Sequence, residues 1–195
     1  KKEALFDTLL KDFQKINEIT FAPEQIKAIV DALSNRVSII TGGPGTGKTT
    51  IIQAILQIYC GLHGYSPYDD EAKNHVLLCA PTGKASKRMT EQTLFPASTI
   101  HRALGYNFEN EFAYHEQNNL FQKLIVIDEA SMIDTILASH LFDAISVNAQ
   151  IVIVGDVFQL PSIGPGALLK DLIDSKVIPT TYLKTIFRQD EGSSI

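Results

Sequence analysis

Residues 41–50 read TGGPGTGKTT, and this stretch decides the architecture. Gly42, Gly47, Lys48 and Thr49 fit the pattern G-x-x-x-x-G-K-[ST]. An apolar run from Val37 to Ile40 precedes the loop, and an amphipathic pattern from Lys48 to Tyr59 follows it, so the motif lies between a strand and a helix. Glycines let the backbone turn its N–H groups inward around phosphate oxygens. The helix N-terminus adds partial positive charge. Gly43, Pro44, Gly45, Thr46, Gly47, Lys48, Thr49 and Thr50 are the candidate cradle. Within it Lys48 has the reach for β- and γ-phosphates, and the Thr49 hydroxyl suits Mg²⁺.

Outward from the loop, the chain alternates helical patterns with short apolar runs. Helical spacing covers Glu3 to Ile16 and Pro23 to Leu33, then Lys84 to Glu91, Ile133 to Ile145 and Ala167 to Ile173. Strand-like runs are Val76 to Ala80, Leu124 to Ile127 and Ile151 to Val154, with a fifth strand expected around Tyr182 and Leu183. Residues 62–74 are polar and read as a loop. Uninterrupted apolar strands alternating with helices predict an α/β fold, a parallel β-sheet flanked by helices on both faces. Between Tyr106 and Tyr114 the sequence YNFENEFAY alternates aromatic and polar residues, which predicts a small exposed β-hairpin insert over residues 105–116.

Composition narrows the class. The chain has 195 residues, 45% of them apolar, enough for one domain with a real core. No apolar run approaches the roughly 18 residues a membrane helix needs. Cys60 and Cys79 lie in core-like segments and read as reduced thiols of a cytoplasmic protein. The first residue is Lys rather than Met, and the end at Ser193-Ser194-Ile195 closes no element, so the expectation is a piece of a longer protein.

The acid pair Asp128-Glu129 ends the strand-like run LIVI. An apolar strand delivers Asp128 to the mouth of the cradle, where a carboxylate can hold Mg²⁺. Glu129 can orient and deprotonate the attacking water. A small-molecule kinase places its hydroxyl substrate at that point and needs an arginine-rich lid, which this sequence lacks. The pair therefore favours hydrolysis. Gln159, in VGDVFQLPS after the fourth expected strand, is a neutral amide able to report the γ-phosphate, or a polar turn residue.

Net charge is −5, which argues against a general nucleic-acid coat. Local charge differs: residues 80–102 carry Lys84, Lys87, Arg88 and Arg102 against the single acid Glu91, a net of +3. Lys84, Lys87 and Arg88 follow i, i+3, i+4 spacing and share a helix face. On charge alone this is a solvated face.

The motifs FAPEQIKAI, TGGPGTGKTT, APTGKASKRM, STIHRALGY, LIVIDEASMID, VGDVFQLPSIGPG and IFRQ stand in the order of the superfamily 1 helicases. Together they resemble the RecD-like branch, the family of the exodeoxyribonuclease V alpha subunit. The resemblance runs from about Phe21 to Gln189. It implies a RecA-like P-loop NTPase fold and an ATP- and Mg²⁺-dependent DNA helicase that moves 5′ to 3′ on single-stranded DNA in repair and recombination. Residues 1–20 would be a helical lead-in, 21–185 the first motor domain, and 186–195 the link to a second RecA-like domain. Other subunits of a helicase–nuclease complex are implied partners, and a membrane is not.

The resemblance also assigns roles. Gln25 matches the glutamine that recognises adenine, where composition alone makes it an exposed helix residue. Gln159 matches the γ-phosphate sensor, and Arg188 the arginine that faces the γ-phosphate across the interdomain cleft. Pro81, Thr82, Gly83, Lys84, Thr99 and His101 match positions that contact the strand backbone. His101 is equally a structural hydrogen-bonding residue. In the insert, Tyr106, Phe108, Phe112 and Tyr114 could stack on bases, or pack across the hairpin. Two alternatives share much of this pattern: the helicase domain of a conjugative relaxase, and a non-catalytic, ATP-regulated nucleic-acid-binding subunit.

Overall fold

The computed structural model describes residues 1–160 and 164–186. Among these residues six strands form one parallel sheet: β1 (Val37–Gly42), β2 (Val76–Ala80), β3 (Ala97–Thr99), β4 (Leu124–Ile127), β5 (Gln150–Gly155) and β6 (Thr180–Leu183). The spatial order is β3-β2-β4-β5-β1-β6. Among the described residues eight α-helices flank it: α1 (Lys2–Ile16), α2 (Pro23–Ser34), α3 (Lys48–His63), α4 (Asp70–His75), α5 (Gly83–Thr93), α6 (Ile100–Ala103), α7 (Thr135–Ala144) and α8 (Leu168–Asp174).

The strands are apolar on both faces because both faces are covered. Ile40, Leu124, Val126, Val152 and Val154 enter one core, with Ile51, Ile52 and Ile55 of α3, Ala28 and Ile29 of α2, and Leu10 and Phe13 of α1. Their neighbours Ile39, Ile125, Ile127, Ile151 and Ile153 point the other way, onto Ile100, Leu141 and Leu169. The alternation is the two-residue period of a strand. Each fully buried isoleucine contributes about 2–3 kcal/mol of transfer free energy. Helix α1 belongs to the first of these cores, so the lead-in packs with the sheet and does not stand apart.

Topology sets the crevice. The chain leaves β1 into α3 on one face and leaves β5 into α8 on the other, although β1 and β5 are paired neighbours. Such a divergence opens a gap at the carboxyl ends of the strands, the usual position of a ligand in an open parallel sheet.

The structure departs from expectation in three places. Residues 62–74 are not all loop: α3 continues to His63, and α4 occupies Asp70–His75. Its polar sequence DEAKNH hides a short helix with acids in the first turn and Lys73 and His75 in the last, matching the helix dipole, with Ala72 as its buried anchor. Strand β3 was invisible because AST is short and polar; it is an edge strand, paired to β2 alone. The insert takes the smallest form of a hairpin, one antiparallel bridge between Tyr106 and Phe112. The Asn107 side chain accepts the N–H groups of Glu109 and Glu111 and closes the turn in place of a longer ladder.

Both cysteines are free and buried. Burial pushes the Cys60 thiol up to about 11 and the Cys79 thiol up to about 12. Among the described residues no helix is long and apolar enough to cross a membrane.

Candidate nucleotide-binding site

The crevice holds a cavity of about 460 Å³. It is lined by residues 43–50, by Asp128, Glu129, Gly155, Asp156 and Gln159, and by Ala85, Arg88, Met89 and Gln92 of α5. The expected cradle, acid pair and glutamine are thus brought together at the ends of β1, β4 and β5.

The loop is held in shape by its own groups. Gly47 caps α3 with φ +85°, a left-handed conformation that disfavours side chains. At Gly42 a Cβ would lie 2.6 Å from Thr46 Oγ1 and 2.8 Å from Leu183 Cβ, so only glycine lets β6 and the loop close on each other. The Thr46 hydroxyl donates to the Gly43 carbonyl at 2.7 Å. Lys48 Nζ donates to the Gly42 carbonyl, also at 2.7 Å, so the ammonium is held across the mouth of its own loop.

Asp128 follows the last residue of β4 and is mostly buried. Burial pushes its carboxyl above the usual carboxylate range, and the Glu129 charge adds to that. The Glu129 N–H, which donates to Asp128 Oδ1 at 2.8 Å, together with Lys48 and Arg88, pulls the other way. A buried carboxylate in this state gains from any cation placed beside it. The donor set fits Mg²⁺: the Thr49 hydroxyl and the Asp128 carboxylate are hard oxygens on one cavity. Among the described residues no cluster of three or more His, Cys, Asp or Glu competes to cage a metal. Mg²⁺ suits such a sparse set because it retains waters and phosphate oxygens.

Glu129 has φ +55°, unusual for a residue with a side chain. Its Oε1 lies 3.9 Å from Arg88 Nη1. The loop after β5 is tied down by the Val157 N–H donating to Thr41 Oγ1 at 3.1 Å and by the Gln159 N–H donating to the Asp156 carbonyl at 3.1 Å. The Ser131 hydroxyl lies 3.4 Å from Gln159 Oε1.

Gln25 is buried and is not the exposed helix residue that composition alone suggests. It is 2% exposed and is not on the cavity wall. Its Oε1 accepts the Ala22 N–H at 2.8 Å, and its Nε2 donates to the Thr46 carbonyl at 3.1 Å. It braces the cradle from behind, which requires burial that an isolated sequence position does not announce. Arg188 lies outside the described residues.

The cavity wall from α5 was missed. Ala85, Arg88, Met89 and Gln92 follow i, i+3, i+4, i+7 spacing and form a stripe that the sequence carries in plain view. Assigning Arg88 to the Lys84–Lys87 face obscured it: Arg88 belongs to both stripes and lines the cavity.

The remaining expected residues lie on the same edge, outside the cavity. Ala80, the last residue of β2, pairs with Thr99, the last residue of β3, and Thr82 comes two residues after Ala80. Their hydroxyls cap α5 and α6, accepting the Ala85 and Arg102 N–H groups at 3.2 Å each. Pro81 is half-buried, while Gly83, Lys84 and His101 are exposed. The His101 ring meets Tyr106 edge-on at 5.2 Å and lies 6.3 Å from Phe112. Tyr106 and Phe112 lie 4.9 Å apart within the insert, Phe112 also stacks on His140 of α7 at 4.4 Å, and Phe108 is fully exposed.

A parallel sheet with a glycine loop on β1 and an acid pair on β4 defines a RecA-like P-loop nucleotide-binding fold. A family model described as "AAA domain" matches residues 25–165. The RecBCD enzyme subunit RecD of Mycobacterium tuberculosis is 36% identical over 167 residues, covering 77% of this chain and 28% of the relative. The ATP-dependent RecD2 DNA helicase of Deinococcus radiodurans is 35% identical, covering 85% of this chain and 22% of the relative. Among solved structures, a Pif1 helicase from Candida albicans superposes with a TM-score of 0.60 at 23% identity, over 88% of this chain and 41% of that one. A Bacteroides Pif1 in complex with ADP-AlF4 gives 0.58 at 20%, over 89% and 44%; at this identity both show the fold. The chain belongs to the AAA domain family and to the RecD-like branch of the superfamily 1 helicases. It spans about a quarter of the length of these curated relatives.

Proposed function

We propose that this chain is the first motor domain of an ATP-dependent DNA helicase that moves 5′ to 3′ along single-stranded DNA and separates duplex ahead of it. The observation that carries the reading is the convergence of Lys48, Thr49, Asp128, Glu129 and Gln159 on one cavity. ATP lies along the loop, with the N–H groups of residues 45–50 on its phosphates and Lys48 transferred from the Gly42 carbonyl to the γ-phosphate. Thr49 and Asp128 would hold Mg²⁺, which would supply charge neutralisation on the phosphates. Glu129 accepts the proton of the attacking water as the γ-phosphoryl group passes to that oxygen and ADP leaves. Gln159 donates to the γ-phosphate and registers its departure. Gln25 recognises adenine once its amide turns from Ala22 and Thr46 toward the base. Arg188 and a second RecA-like domain complete the site from across the cleft.

The DNA strand lies over the carboxyl edge at β2 and β3, on Pro81, Thr82, Gly83, Lys84, Thr99 and His101. Exposed N–H groups, hydroxyls and Lys84 suit sequence-blind phosphate contacts. The names of the RecD relatives favour further subunits of a helicase–nuclease assembly as partners.

The test is ATP turnover by the full-length protein with and without single-stranded DNA. Strong stimulation by the strand, abolished by Lys48→Ala, is expected. Absence of turnover, with strand binding intact, leaves a non-catalytic binding subunit instead.

A further inference from the structure

Helix α5 has two working faces. One carries Ala85, Arg88, Met89 and Gln92 into the cavity; the other exposes Lys84 and Lys87 beside the N-terminal Thr82–Gly83. Arg88 lies where these faces meet, and among the described residues it is, with Lys48, one of two cations lining the cavity. It is also the ion-pair partner of Glu129, at 3.9 Å, with the two side chains 53% and 26% exposed. That length and exposure describe a loose pair that small movements make or break.

Helix α5 is mechanically joined to the strand-facing segments. Thr90 Oγ1 accepts the N–H of Ala97, at the start of β3, at 2.9 Å, and β3 ends at Thr99. Thr82, at the other end, is its N-cap. Both segments placed under the DNA strand are therefore attached to the helix that presents Arg88. Glu129, by contrast, is fixed to β4 through its backbone, and its N–H is held by Asp128.

We propose that Arg88 is a positioning residue that couples strand binding to hydrolysis. With the strand face empty, its guanidinium draws the Glu129 carboxylate toward α5 and away from the attacking water. A strand on Thr82–Lys84 and Thr99 shifts α5 against β4, parts the pair and frees Glu129 to act as base. The proposal rests on the reading of the cavity as a strand-stimulated ATPase, and names the residue through which the stimulation passes.

The experiment uses the full-length protein, with oligothymidylate as the strand. In Arg88→Gln, turnover without the strand rises about 2- to 5-fold, the scale of a partly exposed ion pair. Its KM for ATP stays within about 2-fold, turnover with saturating strand is unchanged, and the stimulation ratio falls by the factor gained in basal rate. Arg88→Lys restores part of the ratio, because it keeps the charge and loses the fork. A merely structural contact would lower the melting temperature and both rates together, with no rescue by lysine. A parallel fall in both rates at constant ratio, or an unchanged ratio, overturns the coupling role. If Arg88→Gln fails to fold, the ratio in Arg88→Lys decides, with a wild-type value counting against. A wild-type protein that hydrolyses ATP without responding to the strand sinks the functional reading itself, and the coupling role with it.

Discussion

Two regions share the carboxyl edge of one sheet and are built on different principles. At β1, β4 and β5, buried strands deliver each functional group to a set point, and a loop locked by Thr46, Lys48 and Gln25 faces a mostly buried Asp128. At β2 and β3, exposed groups at the N-termini of α5 and α6 sit on an edge strand of three residues. Phosphoryl transfer needs charges held within fractions of an ångström. Contact with a sliding backbone needs only donors and cations at a repeating spacing. The first region is preorganised, and the second is accessible.

The largest expected effect that tests this contrast is at Glu129. Glu129→Gln in the full-length protein removes the proposed base and leaves the cradle intact. Turnover should fall about 10²–10⁴-fold with nucleotide affinity little changed, by steady-state rates and fluorescent-nucleotide titration. Equal losses in both would mean that Glu129 holds the nucleotide and does not activate water. Next is Gly42→Ala. The added methyl group meets Thr46 Oγ1 and Leu183 Cβ inside van der Waals contact. The expected loss is about 1–3 kcal/mol of stability by denaturant unfolding, with a loop that binds nucleotide poorly. A neutral outcome would show that β6 yields and that the inner region is less rigid than described.

The outer region should respond more gently. Lys84→Ala touches an exposed cation on a capped helix. Affinity for a single strand should drop by roughly 2- to 10-fold, and the slope of log K against log salt by about one. Strand-free turnover and melting temperature should not change. A loss of strand-free turnover would erase the distinction between the two regions.

The same contrast explains what could be read from the chain. The inner region was legible because its constraints are local: a strand, six residues of loop and a helix specify the cradle, and LIVI followed by two acids specifies its partner. Strands β2 and β4 were read to the residue for the same reason, as apolar runs between polar neighbours. The place of Arg88 on the cavity was not legible because a charged residue on a helix fits any stripe it borders until a neighbouring element is known. Gln25 needed the tertiary structure, since only the closeness of α2 to the loop buries it. Strand β3 owes its existence to pairing with β2 and to Thr90, neither of which leaves a pattern in AST.

The smallest effect concerns the seam that ties the inner region to the chain beyond β6. The Glu24 carboxylate, in the first turn of α2 next to Gln25, accepts the N–H groups of Lys184 and Thr185. Its hydrogen bonds to Thr185 hold it below its ordinary value of 4.5, against a smaller opposing effect of burial. A carboxyl depressed in the folded state stabilises fully above its unfolded value and loses that contribution as pH falls through the folded one. The wild type should therefore melt slightly above Glu24→Gln at pH 7, by about 1–3 °C because the group is largely solvated. The two curves should converge as pH drops below 4.5. A gap that stays constant across this range would mean that the glutamine's shape, and not the lost charge, sets the difference, and that Glu24 is no electrostatic clamp on the strap leaving β6.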